Sequence, residues 1–239
     1  MMKPLKDQIL DAKTEAKNQR DRGLKGYPRA LIRLSRAIDL AKQGLLTSSV
    51  TATICELTKE LADCYGMAGG VERRWGLEAG DVERRKHLSA SCIAYDEGYR
   101  YEWDPKYGTP ATYNLVNRLT SRLLIEPRLL ELDEAVDLGY EVAPINIKQE
   151  LNDTIELIIA KLANKGNYWT EGDLALLSVL TGKAVASAYE PFFKQSPPDF
   201  AFGSALDGIR PLAAANLTTA SSLQDAVELL EYKRLLPRK

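Results

Sequence analysis

The sequence predicts an all-α protein. Apolar residues recur at intervals of three and four positions over most of the 239 residues, and this interval is the period of a helix. The strict alternation of apolar and polar residues that marks a half-buried strand is nearly absent. Glycine and proline pairs separate many of the periodic segments, so the chain reads as a series of helices joined by short loops.

The N-terminal half predicts five helices with recognisable start and stop signals. Gly23 and Gly26 end the first helix, Pro28 lies in the first turn of the second, and Pro127 follows the fifth. Thr109 is a candidate cap for the fifth helix. The predicted bounds are Pro4–Arg22, Tyr27–Gly44, Ser48–Trp75, Val82–Trp103 and Ala111–Ile125.

Two features of the third and fourth helices need explanation. Gly69 and Gly70 interrupt the apolar period of the third helix, and we interpret them as a point of close helix packing, because glycine has no Cβ. A charged insert around Leu77–Lys86 is predicted to separate this helix from the next.

The C-terminal half predicts a short segment over Leu129–Leu138, a linker, and four or five further helices. Pro144 is the best candidate for a boundary, which gives regions 1–143 and 144–239, and we expect the two to pack as one continuous unit. The predicted helices are Asn146–Ala163, Trp169–Leu180, Lys183–Gln195, Asp199–Asn216 and Leu223–Leu236.

Composition and charge exclude several classes of protein. The three cysteines match neither a disulfide framework nor a zinc site, so we expect a reducing, cytoplasmic compartment. No stretch approaches the ~18 apolar residues that a membrane-spanning helix needs. Lysine plus arginine (32) nearly balance aspartate plus glutamate (33), which argues against nonspecific binding of nucleic acid. The usual phosphate, dinucleotide and zinc-hydrolase motifs do not occur, and we expect no cofactor and no bound metal.

Several segments resemble tetratricopeptide repeats, which are helical hairpins of about 34 residues. Residues 23–41 place Ala30, Leu34 and Ala37 at the spacing of a second repeat helix, and residues 61–76 and 94–99 look like another pair. Residues 168–190, together with 204–209, resemble the helical TRAF-binding domain of apoptosis-signal-regulating kinases and its bacterial counterparts.

This resemblance implies a fold and a class of function. It implies helical hairpins stacked as a degenerate solenoid. It also implies an adaptor or regulatory scaffold, without catalytic activity, that binds a separately encoded effector in a bacterial signalling or defence system. The terminal helix Leu223–Leu236 offers a further means of forming homo-oligomers.

The candidate partner-binding residues are Asn114, Asn117 and Arg118, with Arg73 and Arg74 beside them. The first three share one face of the fifth helix, and amide and guanidinium donors suit the backbone or the carboxylates of a peptide. The alternative is structural. In that interpretation the asparagines bond to the neighbouring loop, and Arg118 pairs with an acidic residue such as Glu72.

Other polar and aromatic residues have ordinary interpretations. His87, the only histidine, is predicted on a solvated helix face. Arg73 and Arg74 would be solvated beside a packed Trp75. A further group of aromatic residues is predicted to fill the space between helices, namely Tyr95, Tyr99, Tyr101 and Trp103.

Two rival functions remain open. A regulatory sensor would bind a small anionic ligand through an arginine-lined pocket formed by Arg73, Arg74 and Arg118. A metal-dependent enzyme in a helical bundle is the less favoured rival, because the paired Glu-x-x-His motifs of di-iron bundles are missing.

Overall fold

The computed structural model describes residues 3–139, 141–162 and 167–236, and this part of the chain is helical. It contains ten α-helices and two short 3-10 helices, with no strand apart from an isolated bridge between Val136 and Ile145. The α-helices are α1 (Leu5–Arg20), α2 (Tyr27–Thr47), α3 (Thr51–Glu78), α4 (Asp81–Glu102), α5 (Tyr113–Ile125), α6 (Ile147–Lys161), α7 (Tyr168–Leu180), α8 (Val185–Lys194), α9 (Asp199–Ala213) and α10 (Ala220–Leu235). The 3-10 helices are Gly23–Lys25 and Pro127–Leu130. The prediction of an all-α protein is confirmed for these residues.

The described chain forms two compact units, and the division falls inside α5. The first unit contains the residues up to Ser121 and a short segment that ends at Val142. The second unit contains residues 122–139 and the chain from Ala143 onwards. The boundary at Pro144 stays a prediction.

In the first unit, each of the helices α1 to α4 packs against the next one along the chain. Small residues lie where these helices meet, and Ala37 and Ala41 of α2 are fully buried beside Leu57 and Leu61 of α3. Alanine at such positions lets helix axes approach closely, so the larger side chains of the neighbouring helix fill the remaining space.

The predicted charged insert between the third and fourth helices is wrong. Only Ala79 and Gly80 separate α3 from α4, and α4 begins at Asp81. The charged residues around Glu83 and Lys86 lie on the exposed side of the first turns of α4, because Leu88 and the residues after it carry the buried side. The residues from Val82 onwards therefore belong to α4, as the predicted helix Val82–Trp103 has them, and not to an insert.

Gly69 and Gly70 do not break α3, which is continuous through both. A Cβ on Gly69 would lie 2.9 Å from atoms of the Tyr95 ring, so the absence of a side chain admits that ring from α4. The interpretation of close packing is confirmed at this position.

In the second unit, α7 packs against α8, α9 and α10, and α9 packs against α10. Its buried aromatic residues interlock, with the rings of Phe192 and Phe202 edge to face at a centroid distance of 5.4 Å. Asn146 and Asn167 begin α6 and α7 by accepting hydrogen bonds from Gln149 N and Thr170 N.

Candidate functional site

Asn114, a predicted partner-binding residue, is a buried part of the helix packing. Only 1% of its surface is exposed, and its Nδ2 donates to the carbonyl oxygen of Ala62 at 3.1 Å and to Glu102 Oε1 at 3.2 Å. Its amide lies against Gly66 of α3 and Gly98 of α4. A Cβ added to Gly66 would be 2.7 Å from Asn114 Oδ1, and one added to Gly98 would be 2.5 Å from the same atom. In this structure the amide bonds to helices rather than to a loop, and it is not accessible to a partner.

Asn117 and Arg73 are bonded to each other. Arg73 Nη1 donates to Asn117 Oδ1 at 3.0 Å, and Asn117 Nδ2 donates to the carbonyl oxygen of Tyr113 at 2.8 Å. Arg73 is buried, whereas Asn117 is half-buried. The expectation of a solvated Arg73 is wrong, because its guanidinium lies between α3 and α5 and bonds to a side chain there.

Arg118 lies over an aromatic ring and beside a carboxylate. Its guanidinium carbon is 4.4 Å from the centre of the Tyr99 ring, and its Nη1 is 4.0 Å from Asp96 Oδ1. The predicted partner Glu72 is wrong, because Glu72 instead contacts His87. Arg118 therefore joins α5 to α4.

Arg74 and Tyr113 are the exposed members of this group. Arg74 is solvent-exposed, and Tyr113 exposes 47% of its surface. Burial raises the pKa of the Tyr95 hydroxyl well above its usual value, and the positive charges of Arg73 and Arg74 act in the opposite direction. The structure thus brings the predicted residues of α5 and Arg73 into one part of the first unit. Most of their contacts, however, are with other residues of that unit.

His87 is buried rather than solvated, so that prediction is wrong. It is 6% exposed, its Nδ1 lies 2.6 Å from Glu72 Oε2, and its ring stacks on Trp75 at a centroid distance of 3.9 Å. Nε2 lies 3.5 Å from Glu83 Oε2. Burial raises the pKa of Glu72, and the bond to the imidazole opposes that rise. The histidine thereby connects α4 to α3.

Trp75 extends this cluster to α2. Its ring lies 6.1 Å from the ring of Tyr27, whose hydroxyl donates to Glu78 Oε1 at 2.5 Å. Burial of the Tyr27 hydroxyl, together with this bond, raises its pKa to about 12. The three helices are held together by one continuous set of aromatic and carboxyl contacts.

An exposed group of aromatic side chains lies in the second unit, at the first turns of α7 and α9. We call Tyr168, Trp169 and Phe200 the aromatic patch. The ring of Trp169 is 5.0 Å from that of Tyr168 and 5.9 Å from that of Phe200, and Tyr168 and Phe200 are 6.2 Å apart. Trp169 and Phe200 remain 44% and 61% exposed. Adjacent exposed rings of this size are typical of an interaction surface.

Sequence reasoning missed the aromatic patch as a site. Trp169 was used to place a helix start, and both Tyr168 and Trp169 were assigned only to the segment that resembles TRAF-binding helices, while Phe200 is separated from them by about 30 residues of sequence. One signal was available, since tyrosine and tryptophan are enriched among the residues that anchor a partner. Only the packing of α9 against α7 brings Phe200 beside them.

Across residues 3–139, 141–162 and 167–236, no group of three or more His, Cys, Asp or Glu side chains is arranged to hold a metal ion. No described helix combines the length and the apolar character that crossing a membrane requires.

No protein-family model, curated protein or solved structure that was compared with this chain matches it.

Proposed function

We propose that this chain is a non-catalytic helical scaffold that binds a protein partner, and that the aromatic patch is its principal docking surface. The observation that carries the proposal is the exposure of Trp169 and Phe200 beside one another. Tryptophan and tyrosine dominate the energetics of protein interfaces, because each buries a large apolar area at little cost in conformational entropy.

The arrangement of the first unit supports a scaffold of the tetratricopeptide kind. Its helices α1 to α4 pack mainly against their neighbours in sequence, as stacked hairpins do. The resemblance of residues 168–190 to TRAF-binding helices places part of the aromatic patch, Tyr168 and Trp169, in the segment expected to serve an adaptor. In this proposal the partner is a separately encoded effector of a signalling or defence system.

A second docking surface in this proposal, which we call the α5 face, consists of Tyr113 and Asn117 of α5 together with Arg73 and Arg74 of α3. Arg74 and Tyr113 are exposed, and Arg73 and Asn117 lie behind them in fixed positions. Arginine and tyrosine are both common among residues that anchor a partner. Asn114 takes no direct part, because it is buried.

A second candidate function is a sensor for a small anion at the same arginines. It is favoured by the guanidinium of Arg73, which lies between α3 and α5, and by the exposed Arg74 next to it in the sequence. Thermal unfolding in sodium phosphate, compared with sodium chloride of equal ionic strength, tests this candidate. A stabilisation by phosphate that is lost in Arg74→Ala supports it.

The proposed function is tested by affinity purification from the native host with three forms of the chain. These are the natural chain, the double variant Trp169→Ala/Phe200→Ala, and the control Tyr232→Ala, which removes an aromatic residue that is also 61% exposed. A protein captured by the natural chain and the control but not by the double variant, and then bound by the purified chain, supports the proposal. Equal capture by all three forms contradicts the assignment of the aromatic patch.

A further inference from the structure

The surface of α9 next to the aromatic patch contains two glycines with open space around them. Along α9, Phe200 is followed one turn later by Gly203 and Ser204, and one turn after that by Asp207 and Gly208. Residues three and four positions apart share a helix face. A Cβ built on Gly203 or on Gly208 would meet no atom within 4 Å. We call these five residues the α9 stripe.

A surface of this shape accommodates a helix. A partner helix can approach α9 closely over the two glycines, while the rings at one end of the α9 stripe supply an apolar anchor. Amphipathic helices dock in this way, with apolar side chains at helical spacing in a shallow apolar groove.

The charges around this surface are predominantly negative. The α7 segment Tyr168–Leu180 contains Glu171 and Asp173 and no lysine or arginine. Helical spacing places Glu171 one turn from Tyr168, on the side of α7 that carries that ring.

Two arginines of α9 and α10 are already paired with carboxylates, whereas Lys233 of α10 lies over the Phe193 ring. Arg234 of α10 contacts Asp199 through two hydrogen bonds of 2.7 and 2.8 Å. Arg210 contacts Glu231 at 2.6 Å. Asp207 adds a second carboxylate near Arg234 and contributes to the raised pKa of its guanidinium.

We infer that the occupant of the aromatic patch and the α9 stripe is an amphipathic helix that carries lysine or arginine beside its apolar side chains. The inference rests on the proposed function and adds the chemistry of the partner. Apolar side chains contact Trp169 and Phe200, a cationic group lies over a ring face, and a further cation faces Glu171.

Two designed helical peptides of equal length provide the test, one built from leucine and lysine and the other from leucine and glutamate. Binding to the full chain is followed by the fluorescence anisotropy of a dye on each peptide. We expect the leucine–lysine peptide to bind and the leucine–glutamate peptide to bind at least about tenfold more weakly. Binding of the lysine peptide falls at least about tenfold in Trp169→Ala/Phe200→Ala and severalfold in Glu171→Gln, and it weakens as salt rises. The controls Tyr232→Ala and Asp225→Asn, both on the exposed surface of α10, leave it unchanged.

The outcomes separate this inference from the proposed function. Equal binding of both peptides, lost in Trp169→Ala/Phe200→Ala, overturns the basic occupant and leaves the docking surface intact. Binding that does not depend on the two aromatic residues, or no binding at all, counts against both. If analytical ultracentrifugation shows a dimer that depends on Trp169 and Phe200, the inference is overturned in favour of a second copy of this chain. If the chain sediments with phosphatidylserine vesicles and does not bind the peptide, it is overturned in favour of a lipid surface.

Discussion

The position of Asn114 between two glycines leads to a prediction about stability. In Gly98→Ala, the added Cβ lies 2.5 Å from Asn114 Oδ1 and 2.6 Å from its Cγ. The amide cannot withdraw towards α3, because Gly66 lies against it there, so closely that a Cβ added to Gly66 would also come within 2.7 Å of Asn114 Oδ1. Overpacking of this kind costs about 1–3 kcal/mol, and a contact as short as 2.5 Å belongs at the upper end of that range, whereas replacing glycine by alanine in a helix returns about 1 kcal/mol. We therefore expect a net loss of about 1–2 kcal/mol in the free energy of unfolding.

The sign should reverse when Asn114 is removed first. Asn114→Ala alone costs about 2–4 kcal/mol, because it abolishes the hydrogen bonds to Ala62 and Glu102 and leaves a cavity. In that background the Cβ of Gly98→Ala enters the vacated space, so the second substitution is neutral or stabilises by up to about 1 kcal/mol. The double-mutant cycle then gives a coupling energy of about 2 kcal/mol.

Urea unfolding followed by far-ultraviolet circular dichroism measures all four forms of the cycle. Gly203→Ala is the matched control, because its Cβ meets no neighbouring atom, and we expect it to be neutral or to stabilise by up to about 1 kcal/mol. If Gly98→Ala has the same effect with and without Asn114, within about 0.5 kcal/mol, the packing argument fails.

Three further predictions concern the contacts between helices of the first unit. Below pH 10 Tyr27→Phe is less stable than the natural chain by about 1–3 kcal/mol. The difference disappears as the pH rises towards 12, because between pH 10 and 12 the Tyr27 hydroxyl keeps its proton in the folded chain and loses it in the unfolded chain. A constant difference in urea titrations from pH 8 to 12 would contradict the hydrogen bond from Tyr27 to Glu78. Arg118→Ala lowers the free energy of unfolding by about 1–2 kcal/mol, because its guanidinium lies over the Tyr99 ring, whereas loss of the exposed Arg74 in Arg74→Ala costs less than about 0.5 kcal/mol. Similar losses in the two variants would contradict the contact between Arg118 and Tyr99. His87→Ala lowers the free energy of unfolding by about 2–4 kcal/mol and shifts the fluorescence emission of Trp75, on which the imidazole stacks. An unchanged emission spectrum and melting temperature would instead support a solvent-exposed histidine.

The helical period and the loop residues were sufficient to predict the all-α class and the approximate positions of the helices, whereas the stacking of hairpins into a solenoid stays a prediction. The apolar residues of α2 repeat at helical spacing, and Pro28 lies in its first turn, so its start was predicted correctly. The charged run before His87 was predicted to be an insert between two helices, because an inserted segment and the exposed face of a helix can both be rich in charged residues. Only the burial of His87 and Leu88 on the other side separates the two.

The roles of polar residues depended on contacts that sequence spacing does not reveal. Asn114, Asn117 and Arg118 do share a face of α5, as predicted. Whether such a face meets solvent or another helix depends on the neighbouring chain, and here Gly66 and Gly98 create the space that takes in Asn114. Glycine was considered as a signal of close packing in α3 alone, and the same reasoning was not applied to α4.

The aromatic patch shows the opposite difficulty. Phe200 is far in sequence from Tyr168 and Trp169, and no local pattern connects Trp169 with Phe200. Their association depends on how α7 and α9 pack, which is a long-range contact. The resemblance to TRAF-binding helices predicted a binding function for this region but gave no residue that performs it.

Hydrogen exchange of the full chain, with and without the partner or the leucine–lysine peptide, tests the docking surface most directly. Binding at the aromatic patch slows exchange of the backbone amides in residues 168–173 and 199–208 and leaves residues 113–121 of α5 unchanged. Protection confined to residues 113–121 would contradict this account and assign docking to the α5 face instead.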